Sequence, residues 1–356
     1  MATLREVDGS DPGLVRAYVE AHNAVVLETW GTTDFHRTER EVAGGLRDQR
    51  YERKVRLVAL DDAGSPVAYG ALNLFLTDNT HTGYVDVGTA PTARGGGIGD
   101  AIYDRLMDVA RQAGRTKLMA STDQAVEPPA GPTALSAPTG QGRVALDDPG
   151  VRFLTRRGWQ LEQVSRRSVL DVPLPAAALA DHREAAQRAA GDEYRVLHWS
   201  GPTPAEWLDQ FAILQTRMST DVPTAGLDWG EETWDAQRIR DREAEFAERD
   251  LRFLTAVVEH VPTGTLAGYT AFLVVPHTDE YVHQHDTLVI REHRGRRLGM
   301  LLKAANLQRL AVEMPTVRRI GTWNAEENAP MLAINVELGF RPAGGAGEWQ
   351  RDLAQA

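Results

Sequence analysis

Read along its length, the chain switches between runs that alternate apolar and polar residues and runs spaced for a helix, and the order of these runs occurs twice. In the first half, Asp11-Pro12 opens a helical pattern that continues to Trp30, with proline tolerated in a first turn. A polar helix is expected around Arg37 to Arg50. Val55 to Leu60 and Val67 to Phe75 read as strands joined at Asp61-Asp62-Ala63-Gly64. Tyr84 to Ala90 is a further strand, followed by a glycine-rich turn, a helix from Ile98 to Gln112 and a strand from Lys117 to Ser121.

The second half predicts the same succession. Pro204 to Met218 and Glu232 to Ala247 are helical, and Leu251 to Val258 and Leu266 to Val275 are strands around Pro262-Thr263-Gly264. Tyr281 to Ile290 is a strand, Leu298 to Val312 a helix, Arg319 to Trp323 a strand and Ala329 to Glu337 a helix. Phe340 to Leu353 is expected to close the half with two strands. The repeat reaches single residues: Arg94 aligns with Arg294 at an offset of 200 (294 − 94), and the same offset pairs Asp86 with Asp286, Gly95 with Gly295 and Gly99 with Gly299. A repeat of this length implies two similar domains and not a short-period solenoid.

Two stretches interrupt the pattern. Gln124 to Gly150 is dense in Pro, Gly, Ser and Thr and reads as a loop or insertion. Val172-Pro173-Leu174-Pro175 and the Ala-rich run Ala176 to Ala190 read as a partly helical linker ending at Gly191. The expected division is therefore a first domain over 1–172 with an insertion about 124–150, a linker over 173–192 and a second domain over 193–356.

Composition narrows the classes of function. At 356 residues the chain suits two domains. Its apolar stretches fall short of the roughly 20 residues a membrane span needs, and its start lacks a basic-then-apolar leader, so a cytoplasmic protein with no membrane partner is expected. The absence of cysteine excludes disulfides, thiolate metal sites and a catalytic thiol. A net charge of −11 runs against nucleic-acid binding and suits a soluble enzyme of cationic small molecules such as amines.

The segment richest in chemistry is Arg94-Gly95-Gly96-Gly97-Ile98-Gly99, set between a strand and a helix. Glycines let main chain approach a phosphate, successive N–H groups converge on an anion, and a helix start adds partial positive charge. A nucleotide P-loop would need Lys-Ser/Thr after the glycines, where this chain has Asp100-Ala101. A dinucleotide fingerprint would open its domain, whereas this turn follows an antiparallel meander.

Strand, Arg-x-x-Gly-x-Gly, helix, with two helices and three strands before it and a Gly-aromatic pair after it, resembles the GNAT superfamily of N-acetyltransferases. The resemblance covers both halves, like the tandem members of that superfamily. It implies an α/β (α+β) fold of two tandem GNAT-like domains, each a mixed, mainly antiparallel sheet flanked by helices. It also implies acetyl-CoA as cosubstrate, transfer of the acetyl group to an amine of a small molecule with general-base assistance, and a monomer or homodimer with no metal. The first half matches the turn at Arg94, Gly97 and Gly99; the second, Arg294-Gly295-Arg296-Arg297-Leu298-Gly299, has Arg297 at the middle glycine. By resemblance these turns hold the coenzyme's diphosphate. The strands before them, at Val87 and Thr89 and at Leu288, Val289 and Ile290, with Asn324 and Asn328, line its arm.

For the chemistry, the second half offers Tyr281-Val282-His283-Gln284-His285-Asp286. Histidine suits proton abstraction near neutral pH. Strict alternation puts His283 and His285 on one face and Asp286 on the other, and a bulge, expected by the resemblance, would switch that parity. The choice among His283, His285 and Asp286 stays open. His283-x-His285 is also a conceivable metal pair, but no further ligand stands nearby. Asn335 occupies the place where the superfamily often has a thiol-protonating tyrosine, and as an amide it can only donate a hydrogen bond; in the first half that place is Leu154. Asp86 is the first half's ordinary base candidate. The balance leans to catalysis in the second half, with the first binding coenzyme A as a structural or regulatory copy. Asp221 and Trp229 are the expected acceptor-side residues, although Asp221 equally suits a helix cap. The competing reading is a non-catalytic acetyl-CoA-binding protein.

Overall fold

The structure, a computed structural model, describes residues 2–353. Its elements run β1 Thr3–Glu6, α1 Pro12–Trp30, α2 Glu39–Arg47, β2 Glu52–Leu60, β3 Pro66–Phe75, β4 Gly83–Thr89, α3 Ile98–Gln112, β5 Lys117–Gln124, β6 Ala134–Ser136, β7 Arg143–Ala145, α4 Pro149–Thr155 and β8 Gln160–Asp171. They continue with α5 Ala176–Ala190, β9 Tyr194–Ser200, α6 Leu208–Asp221, α7 Ala236–Glu248, β10 Arg252–His260, β11 Thr265–Val274, β12 Tyr281–Val289, α8 Leu298–Glu313, β13 Arg319–Ala325, α9 Ala329–Leu338 and β14 Arg341–Asp352. Local chemistry fixes several starts. Asp11 accepts from the N–H groups of Gly13 and Leu14 at 2.9 and 3.1 Å, and Thr38 and Glu41 form a reciprocal capping box.

The chain forms two compact units. One holds the residues up to Ser165, Thr224–Trp229 and the chain from Gly344 on; the other holds Arg166–Pro223 and Gly230–Ala343. In the first unit β1 to β4 form an antiparallel meander, β4 meets β5 in parallel, and β14 pairs antiparallel with β5 from Gly345–Gln124 to Asp352–Lys117. In the second, β9 to β12 are antiparallel and β12 meets β13 in parallel.

Residues 341–352 thus form one strand where two were expected, and most of that strand serves the first unit. The reason is packing. Trp349 is buried among Val144, Leu161 and the rest of the first core, and its indole N–H donates to Thr122 at 2.9 Å. The switch falls at Gly344, whose φ of +108° and close approach to the Gln124 carbonyl leave no room for a side chain.

The expected linker is a packed helix. α5 lies along α8 and places Leu179, Ala186 and Ala190 in the second unit's core. Leu179→Ala should therefore cost about 2–5 kcal/mol in chemical denaturation; a loss near zero would return α5 to a loose connector. The insertion contains the small hairpin β6–β7. β1, β8 and β9, short or lacking clean alternation, have no counterpart among the sequence expectations.

Candidate active site

The two glycine-rich turns have the same construction. Each strand ends in a short 3₁₀ turn (Pro91–Ala93, Arg291–His293) before the helix begins. Gly97 caps α3 at φ +77°, and Arg297 takes the same left-handed place before α8 at φ +56°. Left-handed backbone is costly for a residue with a Cβ, so the geometry of the turn persists where its glycine does not. Among the described residues, the N–H groups of Gly95, Gly96, Gly97, Ile98 and Gly99 donate to no protein acceptor, nor do those of Gly295, Arg296, Arg297, Leu298 and Gly299. Unsatisfied N–H groups at a helix start are what an anion needs.

The arginines do something other than reach outward alone. Arg94 donates from Nε to the Thr89 carbonyl (3.1 Å) and grips Glu28 of α1; Arg294 donates to the Val289 carbonyl (2.9 Å) and pairs with Asp221 of α6 (2.8 Å). Each ties its turn to the preceding strand and to a helix end. Asp221 is thus engaged beside the turn and not free in an acceptor cleft. Trp229 belongs to the first unit, edge-on to Phe75 at 5.0 Å between ring centres. The guanidinium of Arg297 pairs with Glu337.

Both parallel pairings end early, leaving a gap between strands. β4 and β5 pair only at Tyr84–Met119, and β12 and β13 from Tyr281–Arg319 to Gln284–Thr322. Val87, Thr89, Leu288, Val289 and Ile290 lie past those points, and the Ile290 N–H is already bonded to the Ala267 carbonyl at 3.0 Å. In β12 the register against β11 jumps from Phe272–Gln284 to Thr270–Thr287, so His285 and Asp286 together face Ala271. This is the expected bulge. β4 keeps an unbroken register with β3.

The bulge changes which side chains meet. Alternation would separate His285 from Asp286, but His285 Nδ1 lies 2.8 Å from Asp286 Oδ2, which also accepts from the Tyr269 hydroxyl at 3.0 Å. Burial opposes the charge of Asp286, yet His285, Arg242 and the Tyr269 hydrogen bond together hold its pKa below the usual value. Both residues line a small, partly open cleft with Phe253, Gln215 and Arg242. His283 sits deeper, 3.4 Å from the Tyr281 hydroxyl, and burial and neighbouring His285 lower its pKa to about 4.

Asn335 is buried on α9, where it accepts from Lys303 Nζ at 2.9 Å and donates to Asn324 Oδ1 at 2.7 Å. Asn328 caps α9 through Met331, so its side chain serves the helix start. Sequence reasoning passed over Lys303, which looks like one more polar residue of a helix; full burial pushes its pKa down to about 7.

In the first unit Asp86 accepts from the Tyr69 hydroxyl at 3.1 Å, the counterpart of Tyr269 and Asp286, and burial raises its pKa. Leu154 is buried and offers no proton. The gap there is flanked by two carboxylates the sequence did not single out, Asp123 and Glu348, the second brought in by β14 opposite Ser121. Burial and the Asp123 charge raise the Glu348 pKa to about 7. A carboxyl whose folded pKa lies above its unfolded value loses stability as pH rises between the two. Glu348→Gln should therefore flatten the fall of stability between about pH 4.5 and 7, read as Tm against pH; an unchanged slope would show the carboxyl to be ionised throughout.

Residues 16–131 match the profile of the acetyltransferase (GNAT) family. The first unit is a GNAT acetyltransferase domain. A solved tandem GNAT protein from the clavulanic acid biosynthesis pathway is 26% identical over 99% of this chain and 98% of its own, with a TM-score of 0.75. The GCN5-related N-acetyltransferase of Sphaerobacter thermophilus, at 12% identity and a TM-score of 0.58 over 98% of this chain and 95% of its own, speaks for the fold alone. No curated protein matches the sequence. The chain is therefore an enzyme of the acetyltransferase class with a tandem GNAT architecture. Among the described residues no helix is long and apolar enough to cross a membrane, and no cluster of three or more His, Asp or Glu residues is arranged to hold a metal.

Proposed function

We propose that this GNAT enzyme transfers the acetyl group of acetyl-CoA to the amine of a small molecule, and that the transfer occurs in the second unit. The observation that carries the proposal is the pairing of His285 with Asp286 at a bulge that opens onto a cleft. With Nδ1 held by the carboxylate, the imidazole has its other nitrogen available to take a proton from the amine, directly or through water. Acetyl-CoA supplies the acetyl group already activated as a thioester. The free N–H groups of Gly295 to Gly299 suit its diphosphate, and those of Gly95 to Gly99 suit a second molecule in the first unit. The acceptor enters the cleft beside Phe253 and Gln215. The enzyme works in the cytoplasm as a monomer or homodimer.

A second reading has one observation in its favour: Leu154 and Asn335 leave neither unit an acid at the place where the superfamily often has its tyrosine. On that reading the chain binds acetyl-CoA without turning it over. Thiol release measured with acetyl-CoA and a panel of small amines separates the two. Release dependent on an amine supports transfer, whereas coenzyme binding without release for any acceptor supports the binding protein.

A further inference from the structure

The buried lysine of the second unit is the group least explained by folding. Lys303 is 2% exposed, no carboxylate pairs with it among the described residues, and its one hydrogen-bond acceptor is an amide. Burying an ammonium without a counter-ion is expensive, and such groups collect at functional sites.

Its contacts form a directed chain. Lys303 Nζ donates to Asn335 Oδ1, which sets the oxygen of that amide inward and the nitrogen outward. Asn335 Nδ2 then donates to Asn324 Oδ1, which in turn leaves the Asn324 amide nitrogen facing away from this chain. Asn324 lies two residues past Thr322, the last β13 residue paired with β12. Two amides in series, each polarised by the donor behind it, therefore run from a buried lysine amine to the gap between the strands.

We propose that Lys303 is a positioning residue that, through Asn335 and Asn324, stabilises negative charge on the coenzyme sulfur in the second unit. The inference rests on the proposed reaction. As the amine nitrogen bonds to the acetyl carbon, the carbon–sulfur bond breaks, the electron pair stays on sulfur, and the amine proton passes to His285. Lys303 takes no part in bond making. It orients and polarises the donors that meet the thiolate, at a place where the chain has no tyrosine to protonate it.

The test follows the thiol itself. Coenzyme A is bound to the full chain carrying Gly97→Val, which leaves only the second unit's cradle intact, and the thiolate absorbance is titrated against pH. Adding Lys303→Met should raise the pH at which the bound thiol ionises by about one unit, a tenfold change in the ionisation constant, while affinity for desulfo-coenzyme A is unchanged. Asn324→Ala, which interrupts the chain at its half-buried end without touching the lysine, should give the same shift if the methionine variant folds poorly. Thiol ionisation at one pH in all three proteins, with desulfo-coenzyme A still bound, would overturn the role of Lys303 alone. Failure of the Gly97→Val protein to bind either ligand would overturn the placement of the coenzyme in the second unit, and this inference with it.

Discussion

His285→Ala is expected to lower kcat for amine acetylation by about 10²–10³-fold, within the range that general-base catalysis contributes. KM for acetyl-CoA should hardly move, because the imidazole lies in the cleft and not in the glycine-rich turn. Asp286→Asn should lower kcat at least as much, since its amide can donate to Nδ1 and leave the proton on the nitrogen that has to accept one. Steady-state thiol release over a range of acetyl-CoA concentrations reads both quantities. Full activity in His285→Ala combined with an inactive His283→Ala would move the base to the deeper histidine, despite its burial.

The second large effect concerns stoichiometry. Wild-type protein should bind two equivalents of acetyl-CoA, one per turn, in a calorimetric titration. Gly97 and Gly295 both stand at positive φ, +77° and +81°, where a β-branched residue is a severe outlier. Gly97→Val or Gly295→Val should turn the neighbouring N–H groups away from a common point and remove one equivalent each. With Gly295→Val, amine acetylation should be lost as well. Two equivalents retained in either variant would show that the diphosphate is held elsewhere.

Elements built from local signals were legible in the sequence. The helix from Ile98 to Gln112 has the predicted bounds, since an open glycine turn and a clean apolar stripe mark it. The Arg94 and Arg294 turns were likewise legible, because glycine content, charge and the step from strand to helix all lie within a few consecutive residues. What depended on distant partners was not. Nothing in Ala176–Ala190 announces that it covers α8, and its alanines read equally as a connector. Glu348 comes beside Asp123 only because β14 pairs with β5, more than 220 residues away along the chain. At the candidate site, the pattern of His283 to Asp286 marked a strand rich in titratable side chains but could not say which of them touch. That depended on one extra residue in β12, which a period-two reading cannot see.

The crossing of the chain at Gly344 has a consequence for biosynthesis. A ribosome working at roughly 5–20 residues per second completes Met1 to Ser165 long before Trp349 exists. The earlier-made half must then wait, with the outer edge of β5 and the pocket for that indole uncovered, until the last stretch of polypeptide emerges. Separate expression of the two halves, cut at the apparent repeat boundary, would leave the N-terminal fragment lacking its closing strand, and stop codons shortly before residue 344 should damage the part of the protein translated first.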